Sequence, residues 1–304
     1  MPELPEAEVV RRGVEHVLLG GEFTCVDVRD ERELRRFAGN ATDFVEQLTG
    51  AQACAVVRRG KFLWAPLQRD GRTTHALVVH LGMSGQLLRA DPTAAPLRHE
   101  RVRFTLRRPE GGDAGLAFVD QRVFGYVGIE PLVATVDGGL GGYAGGADWG
   151  EAVIPAHARH IARDPLDPQF DEAAFLHAVR RSRSGIKRIL LDQGRISGIG
   201  NIYADEALWR ARIHPETRGT RMAAATVTRL LSSVRDTLQD ALAAGGTSFD
   251  EQYKRVNGES GYFQRDLAVY GRAGEPCRRC GTPIRRESFM NRSSHWCPRC
   301  QHRH

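Results

Sequence analysis

Residues 185–213 read GIKRILLDQGRISGIGNIYADEALWRARI, two stretches of helical periodicity joined by the glycine-containing turn QGRISGIG. The flanking segments, FDEAAFLHAVRR (170–181) and AATVTRLLSSVRDTLQDALAA (224–244), keep the same period, which predicts a helical second half built around a helix-turn-helix. Toward the N-terminus the pattern changes. Between about residues 22 and 130, short runs such as FTCVDV, QACAVVRR, KFLWAPL, HALVVHLG, RVRFTL and LAFVDQ are broken by Gly, Asp and Pro, which predicts strands in a two-sheet sandwich. Cys25 and Cys54 fall inside such runs and read as small buried hydrophobes. Ahead of the strands, LPEAEVVRRGVEHVLL (4–19) spaces Val9, Val10, Val14, Val17 and Leu18 behind acidic residues, so a helix starts almost at the first residue. Residues 131–164 contain GGLGGYAGGADWG, whose apolar content is too low to pack, and read as a linker or insertion between the halves.

The chain has 304 residues, of which 41% are hydrophobic, enough for two ordinary domains and a small module. Lys and Arg number 43 against 37 Asp and Glu, a surplus of +6 whose placement matters more than its size. Arg278, Arg279, Arg285, Arg286, Arg292, Arg299 and Arg303 crowd the C-terminal stretch, a polyanion footprint or a solvated surface on charge alone. No run approaches the roughly 18 to 20 apolar residues that span a bilayer, and the N-terminus lacks the apolar core of a signal peptide; a cytoplasmic protein with no membrane contact is expected. Cys277, Cys280, Cys297 and Cys300 form C-x2-C-x16-C-x2-C, a spacing that lets two tight turns aim four thiolates at one tetrahedral zinc. Two disulfides are the competing reading, and a reducing compartment favours zinc. The intervening GTPIRRESFMNRSSHW alternates like a β-hairpin and places Arg292 near its turn.

Four motifs occur in order along nearly the whole chain: MPELPEAEVVRRGVE at the start, HLGMSGQL (80–87), LLDQGRISGIGNIYADEALW (190–209), and VYGRAGEPCRRCGTPI with RSSHWCPRCQ at the end. Together they resemble formamidopyrimidine-DNA glycosylase, within the family that also contains endonuclease VIII. The resemblance implies an α+β multidomain chain. Residues 1–135 would hold an N-terminal helix and β-sandwich, 136–164 a glycine-rich linker or insertion, 165–246 a helix-two-turn-helix domain, and 247–304 a lesion-capping loop and a zinc-finger β-hairpin. It also implies a monomer acting on damaged double-stranded DNA lying in the cleft between the halves, with one structural zinc and no organic cofactor.

The family's chemistry carries over residue by residue. Met1 would be removed and the secondary amine of Pro2 would attack C1′ of the damaged nucleotide. An α-amino group titrates near 8 rather than near the 10.4 of Lys, so it is substantially neutral at physiological pH. The resulting iminium acidifies the C2′ hydrogens and permits successive β- and δ-elimination. Glu3 matches the catalytic carboxylate that shuttles protons, Lys61 the catalytic-face lysine that binds phosphate, and Glu6 a supporting acid. His80 and His99 match backbone-contacting histidines. Met83, Arg122 and Phe124 match the trio that fills the gap left by an extruded base, two apolar wedges and a cation for the opposite cytosine. Asn201 and Arg292 match phosphate grips, Lys187 and Tyr203 positions near the DNA or the pocket, and Glu206 an acid that stabilises the terminal amine.

Taken singly, most of these residues have ordinary readings. Pro and Glu suit a helix's first turn, Met83 and Phe124 suit a core, and a lone His is usually a surface residue. Two positions depart from the family: Val123 stands where many members have a second arginine, and Asn291 where a glycine is usual, Asn tolerating a left-handed turn nearly as well. MPELPE, where the endonuclease VIII branch typically reads MPEGPE, favours oxidised purines, and the loop over 247–263 resembles the one that closes over 8-oxoguanine. An oxidised-pyrimidine glycosylase of the same fold stands as the alternative, and a non-catalytic zinc-finger DNA-binding protein ranks below both.

Overall fold

The computed structural model describes residues 2–145, 149–247 and 266–302. These form two compact units. One takes in Pro2, Glu6–His160 and Thr247; the other takes in Glu3–Pro5, Ile161–Gly246 and 266–302.

The first unit starts with helix α1 (Leu4–Leu18), whose Val10, Val14, Val17 and Leu18 recur on one face and are buried. Strands follow: β1 (Glu22–Val28), β2 (Gln52–Ala53), β3 (Val57–Arg59), β4 (Phe62–Arg69), β5 (Arg72–His80), β6 (Gly85–Ala90), β7 (Glu100–Arg107), β8 (Asp113–Asp120), β9 (Tyr126–Ala134) and β10 (Val153–Pro155). Helix α2 (Ala41–Leu48) lies between β1 and β2 and opens with a capping box from Asn40 and Asp43. The strands form one hydrogen-bonded path, β10-β9-β5-β4-β2-β1-β7-β8-β6, with β3 paired to β4. Its link is the two-residue β2, and the arms on either side of β2 share a core. Leu63, Ala65, Leu77 and Val79 from β4 and β5 belong to the same buried cluster as Val102, Phe104, Leu106, Leu116 and Phe118 from β7 and β8. The sandwich is thus a single sheet folded over that cluster, each large apolar side chain contributing about 1.5–3 kcal/mol by burial.

Two expectations need correction here. Cys25 is exposed and Cys54 only partly buried. Phe23 and Val26 take the inward positions of β1, and a register shift between Phe23 and Cys25 turns the thiol outward. The glycine-dense stretch, expected to be a linker or insertion and a flexible connection, is built onto the sheet through its described residues. Arg58 and Tyr143 exchange backbone hydrogen bonds of 2.9 and 2.8 Å, Gly141 N donates to Glu151 O at 3.0 Å, and β10 pairs antiparallel with β9. Backbone pairing needs no apolar side chains, so composition alone did not reveal it.

The second unit is helical, with α3 (Glu172–Arg181), α4 (Ile186–Leu190), α5 (Asn201–Ala211) and α6 (Ala224–Ala243). Asp171 caps α3 by accepting from Ala174 N at 2.8 Å. Val227, Leu230, Leu231, Val234, Leu238 and Ala241 give α6 a buried stripe. That stripe meets Ile202, Tyr203, Leu208 and Ile213 of the α5 region and Ile186, Ile189 and Leu190 of α4, as the period of residues 185–213 predicts. The unit ends in an antiparallel hairpin, β11 (Arg285–Phe289) and β12 (Arg292–Trp296). Among the described residues no helix is long and apolar enough to cross a membrane.

Candidate functional site

In the second unit the N-terminal residues are held by the turn ahead of α5. Leu4 N donates to Gly198 O at 2.9 Å, and the Glu3 carboxylate accepts from Gly200 N at 2.6 Å, Ile202 N at 2.9 Å and Tyr203 N at 3.3 Å. Glu3 therefore caps a helix almost two hundred positions away, neutralising amides that would otherwise be orphaned at its N-terminus. A Cβ on Gly200 would lie 2.4 Å from the Glu3 carboxyl carbon, so only glycine admits the acid there. Glu3 is 2% exposed, and Pro2 beside it is buried.

In the first unit Glu6 accepts from Thr247 N at 2.7 Å and Thr247 Oγ1 at 2.9 Å. It thus fixes the start of the segment expected to cap a lesion; residues 248–265, where that loop falls, lie outside the described residues. Lys61 follows Gly60 in the turn between β3 and β4 and is half-buried. Arg58 braces this turn against α1, donating from Nε to Glu8 at 2.9 Å and from Nη1 to Gly60 O at 3.1 Å. Glu8 and Arg11, 1% and 2% exposed, complete the network. The sequence reading missed Glu8 and Arg58, although a Glu/Arg pair on the buried face of a helix is the available signal.

His80 stacks on Tyr126, with ring centroids 5.2 Å apart, and its Nδ1 accepts from Gly82 N at 3.2 Å. Burial, reinforced by the cations Arg36, Lys61 and Arg35, pushes its pKa down to about 4. At neutral pH it is an uncharged imidazole whose Nε2–H remains the donor, not a cation. His99 is half-buried with φ of 61°, and its carbonyl accepts from Asp120 N at 3.0 Å. Met83 and Phe124 are 46% and 48% exposed and Arg122 is also exposed, unlike the core residues their apolar character could suggest.

Three positions matched on the helical side, Lys187, Tyr203 and Glu206, are buried. Lys187 is wholly buried, 2.6 Å from Asp205, and donates to Ser293 O at 3.1 Å. Burial lowers its pKa while Asp205 opposes the shift. Tyr203 is 1% exposed and lies within the helical core. Neither presents its side chain to solvent for DNA. The Glu206 carboxylate accepts from Ala268 N, Val269 N and Tyr270 N at 2.8–2.9 Å. Burial raises its pKa against the effect of those three donors. Its oxygens hold the chain entering the cysteine module.

Asn201 and Arg292 open α5 and β12 respectively. Asn201 donates from Nδ2 to Ser293 O at 2.9 Å. Arg292 is exposed. Together with Ser184, Arg188, Arg195 and Asn291 it lines a groove of about 590 Å³. The left-handed residue of the hairpin turn is Met290, with φ of 52°; the expectation of a left-handed Asn291 is shifted by one position. Asp205, a residue that sequence reasoning missed, ties α5 to this hairpin by accepting from His295 N at 2.8 Å and Ser294 Oγ at 3.2 Å.

The four module cysteines place all their sulfurs within 4.8 Å of one another. Cys277 and Cys300 are 4.0 Å apart and Cys280 and Cys297 3.5 Å. A tetrahedral zinc with arms of about 2.3 Å has sulfur–sulfur edges of about 3.8 Å, so the residues fit the ion. Donors from Thr282 lower the Cys280 pKa to about 6, whereas burial and the neighbouring thiols push Cys300 to about 12. Four such groups become thiolates together only around a cation.

Residues 1–127 match the formamidopyrimidine-DNA glycosylase N-terminal domain, 161–252 the H2TH domain of the same glycosylase, and 274–303 the zinc finger found in FPG and IleRS. The formamidopyrimidine-DNA glycosylase of Leifsonia xyli subsp. xyli is 54% identical over 301 residues, covering 99% of each chain. The chain belongs to the formamidopyrimidine-DNA glycosylase family. That of Nocardioides sp. is also 54% identical, over 99% of this chain and 94% of its own. Among solved structures, Lactococcus lactis Fpg in complex with abasic-site DNA superposes with a TM-score of 0.78 at 29% identity, covering 99% of this chain and all of that one. A mutant of the same protein with Fapy-dG-containing DNA gives 0.80 at 30%. The chain is thus a DNA-binding enzyme of base excision repair, a glycosylase of a family with abasic-site lyase activity, and its four cysteines form a structural zinc site.

Proposed function

We propose that this glycosylase excises oxidised purines, 8-oxoguanine opposite cytosine and ring-opened formamidopyrimidines, from duplex DNA through a covalent bond to Pro2. With Met1 removed, the Pro2 nitrogen bonds to C1′ as the C1′–base bond breaks, and the departing base takes a proton. Opening of the sugar leaves an iminium on the proline. Loss of a C2′ proton then expels the 3′ phosphate, a second elimination expels the 5′ phosphate, and water releases the sugar fragment. Glu3 hands on the protons. Lys61, Asn201 and Arg292 grip phosphates, while Met83, Arg122 and Phe124 occupy the space left in the stack.

The observation that supports this reading most directly is the anchoring of Glu3 by three amides at the head of α5. A terminal nucleophile needs a fixed geometry, and its neighbouring residue has one. Lys187, Tyr203 and Glu206 act one step back, as supports of α5 and the hairpin. The protein is proposed to act as a monomer.

Borohydride trapping tests the covalent step. The protein is expected to become joined to an 8-oxoguanine duplex, and intact mass should show loss of Met1 together with an adduct on the terminal peptide. Efficient excision by protein that retains Met1 would sink the proposal. An oxidised-pyrimidine preference is the second reading, since another Lactococcus lactis Fpg complex contains oxidised-pyrimidine DNA. Comparing 8-oxoguanine with 5,6-dihydrouracil duplexes decides between them.

Arg292→Ala offers a separate check on the phosphate grip. Affinity should fall for damaged and undamaged duplex alike, and the slope of log affinity against log salt should flatten by about 1. Fluorescence anisotropy across a salt series measures both, and an unchanged slope would remove Arg292 from the interface.

A further inference from the structure

Asp120 ends β8 and is wholly buried, yet the turns it holds carry the exposed side chains Met83, Arg122 and Phe124. Its Oδ1 accepts from Arg122 N at 3.1 Å and Val123 N at 3.1 Å, and its Oδ2 from Gly125 N at 2.7 Å. The three amides bracket Phe124. Oδ1 also accepts from Ser84 Oγ at 2.5 Å, and Ser84 adjoins Met83 in a different turn. One carboxylate therefore joins the two turns that carry Met83, Arg122 and Phe124. The backbone around it is fastened too: Arg101 Nε donates to Asp120 O at 2.7 Å, and Arg35 Nη2 donates to Phe124 O at 2.9 Å.

The loop is not in a conformation its own residues prefer. Val123 has φ of 57°, a left-handed geometry that a β-branched residue avoids, and it holds there while donating to Asp120. The turns also touch directly, since a Cβ on Gly82 would lie 2.3 Å from Phe124 O. Nearby Glu33 is wholly buried, and its carboxyl oxygens find no hydrogen-bond partner among the described residues. Burial and then the charge of Asp120 push its pKa up to about 8.

We propose that Asp120 is the positioning residue of the stack-filling loops, holding Arg122 at the orphaned base and both wedges at the gap, and that it thereby sets the discrimination between opposite bases. This rests on the reading that Met83, Arg122 and Phe124 enter the stack. Asp120 itself touches no DNA. An amide in its place loses one acceptor and turns an N–H₂ toward backbone donors, so the loop relaxes toward the geometry Val123 prefers.

Single-turnover excision by Asp120→Asn, Ser84→Ala and Arg122→Ala, each with a full-length folded control by circular dichroism, tests the proposal. With 8-oxoguanine opposite cytosine, Asp120→Asn should be slower by about 100-fold, the scale of a 1 Å misplacement, and Ser84→Ala by about tenfold. The preference for cytosine over adenine opposite the lesion should collapse toward unity in Asp120→Asn. Cleavage of a duplex with a preformed abasic site, which needs no base extrusion, should change by less than about threefold. Equal losses on the abasic and damaged substrates would show a general structural fault and overturn the positioning role, as would an unchanged opposite-base ratio in Asp120→Asn. If Arg122→Ala shifts the ratio and Asp120→Asn does not, the positioning role alone fails. If Arg122→Ala leaves it unchanged, the trio reading fails with it. Should Asp120→Asn not fold, Ser84→Ala carries the test, and an unaltered rate and ratio there would refute it.

Discussion

Glu3→Gln is expected to bind a lesion-containing duplex within about threefold of the parent and to release the damaged base roughly 10²- to 10⁴-fold more slowly, the usual range for one positioned acid–base group. The structure complicates the experiment, because Glu3 also caps α5 through three backbone amides. A carboxylate offers about four acceptor directions, and these amides use three of them. Glutamine keeps one acceptor oxygen and turns an N–H₂ toward an amide donor, a loss of about 1–3 kcal/mol in stability. The melting temperature should therefore fall by several degrees while the fold persists at 25 °C. Chemistry and cap separate on a preformed abasic site. There the base is already gone, so Glu3→Gln should still form the borohydride-trapped adduct although it no longer excises 8-oxoguanine. Excision at the parent rate would remove Glu3 from the proton path, and loss of trapping together with excision would show that only the cap had been measured.

That double duty marks the limit of what could be read from the chain. The period of residues 185–213 located the helices, and the alternating runs located the strands, because burial of an apolar face leaves its spacing in the sequence. The four cysteines were legible for a similar reason: a tetrahedral ion fixes ligand spacing within each pair. What stayed hidden were contacts between polar groups distant in sequence. Nothing near Gly200 announces that it admits Glu3. Asp120 is a lone acid before QRVFG, and Asp205 one of two adjacent acids inside a helix, yet each gathers several donors from other elements. The motifs placed Lys187 and Tyr203 near the DNA or the pocket and Glu206 with the terminal amine, but did not reveal that all three are buried. A match gives a residue's place in a pattern, not the direction in which its side chain points.

Removal of zinc is expected to lower affinity for duplex DNA by about 100-fold or more, the equivalent of two or three phosphate contacts at moderate salt. The reason lies in how little else holds the hairpin. Its own buried cluster consists of Val269, Cys277, Ile284 and Cys297, with Trp209 packed beside them. A module of about 30 residues with so small a core needs a metal or cross-links to fold. Trp209 Nε1 donates to Cys277 Sγ at 3.3 Å, so the same loss reaches the end of α5. Once β12 frays, Asn201 and Lys187 lose Ser293 O and Asp205 loses the amide of His295. Lys187 and Asp205 remain a buried pair stripped of outside hydrogen bonds, a state that favours opening of the α4–α5 turn. Arg292 would be lost with the strand and Asn201 would lose its orientation, so both proposed phosphate grips of this unit fail together. Chelation followed by anisotropy should show this weakening, a metal assay should count one zinc released per chain, and added zinc should restore affinity. Full affinity in metal-free protein would mean that the hairpin folds on its side chains alone and that the sulfur cluster contributes nothing to DNA binding.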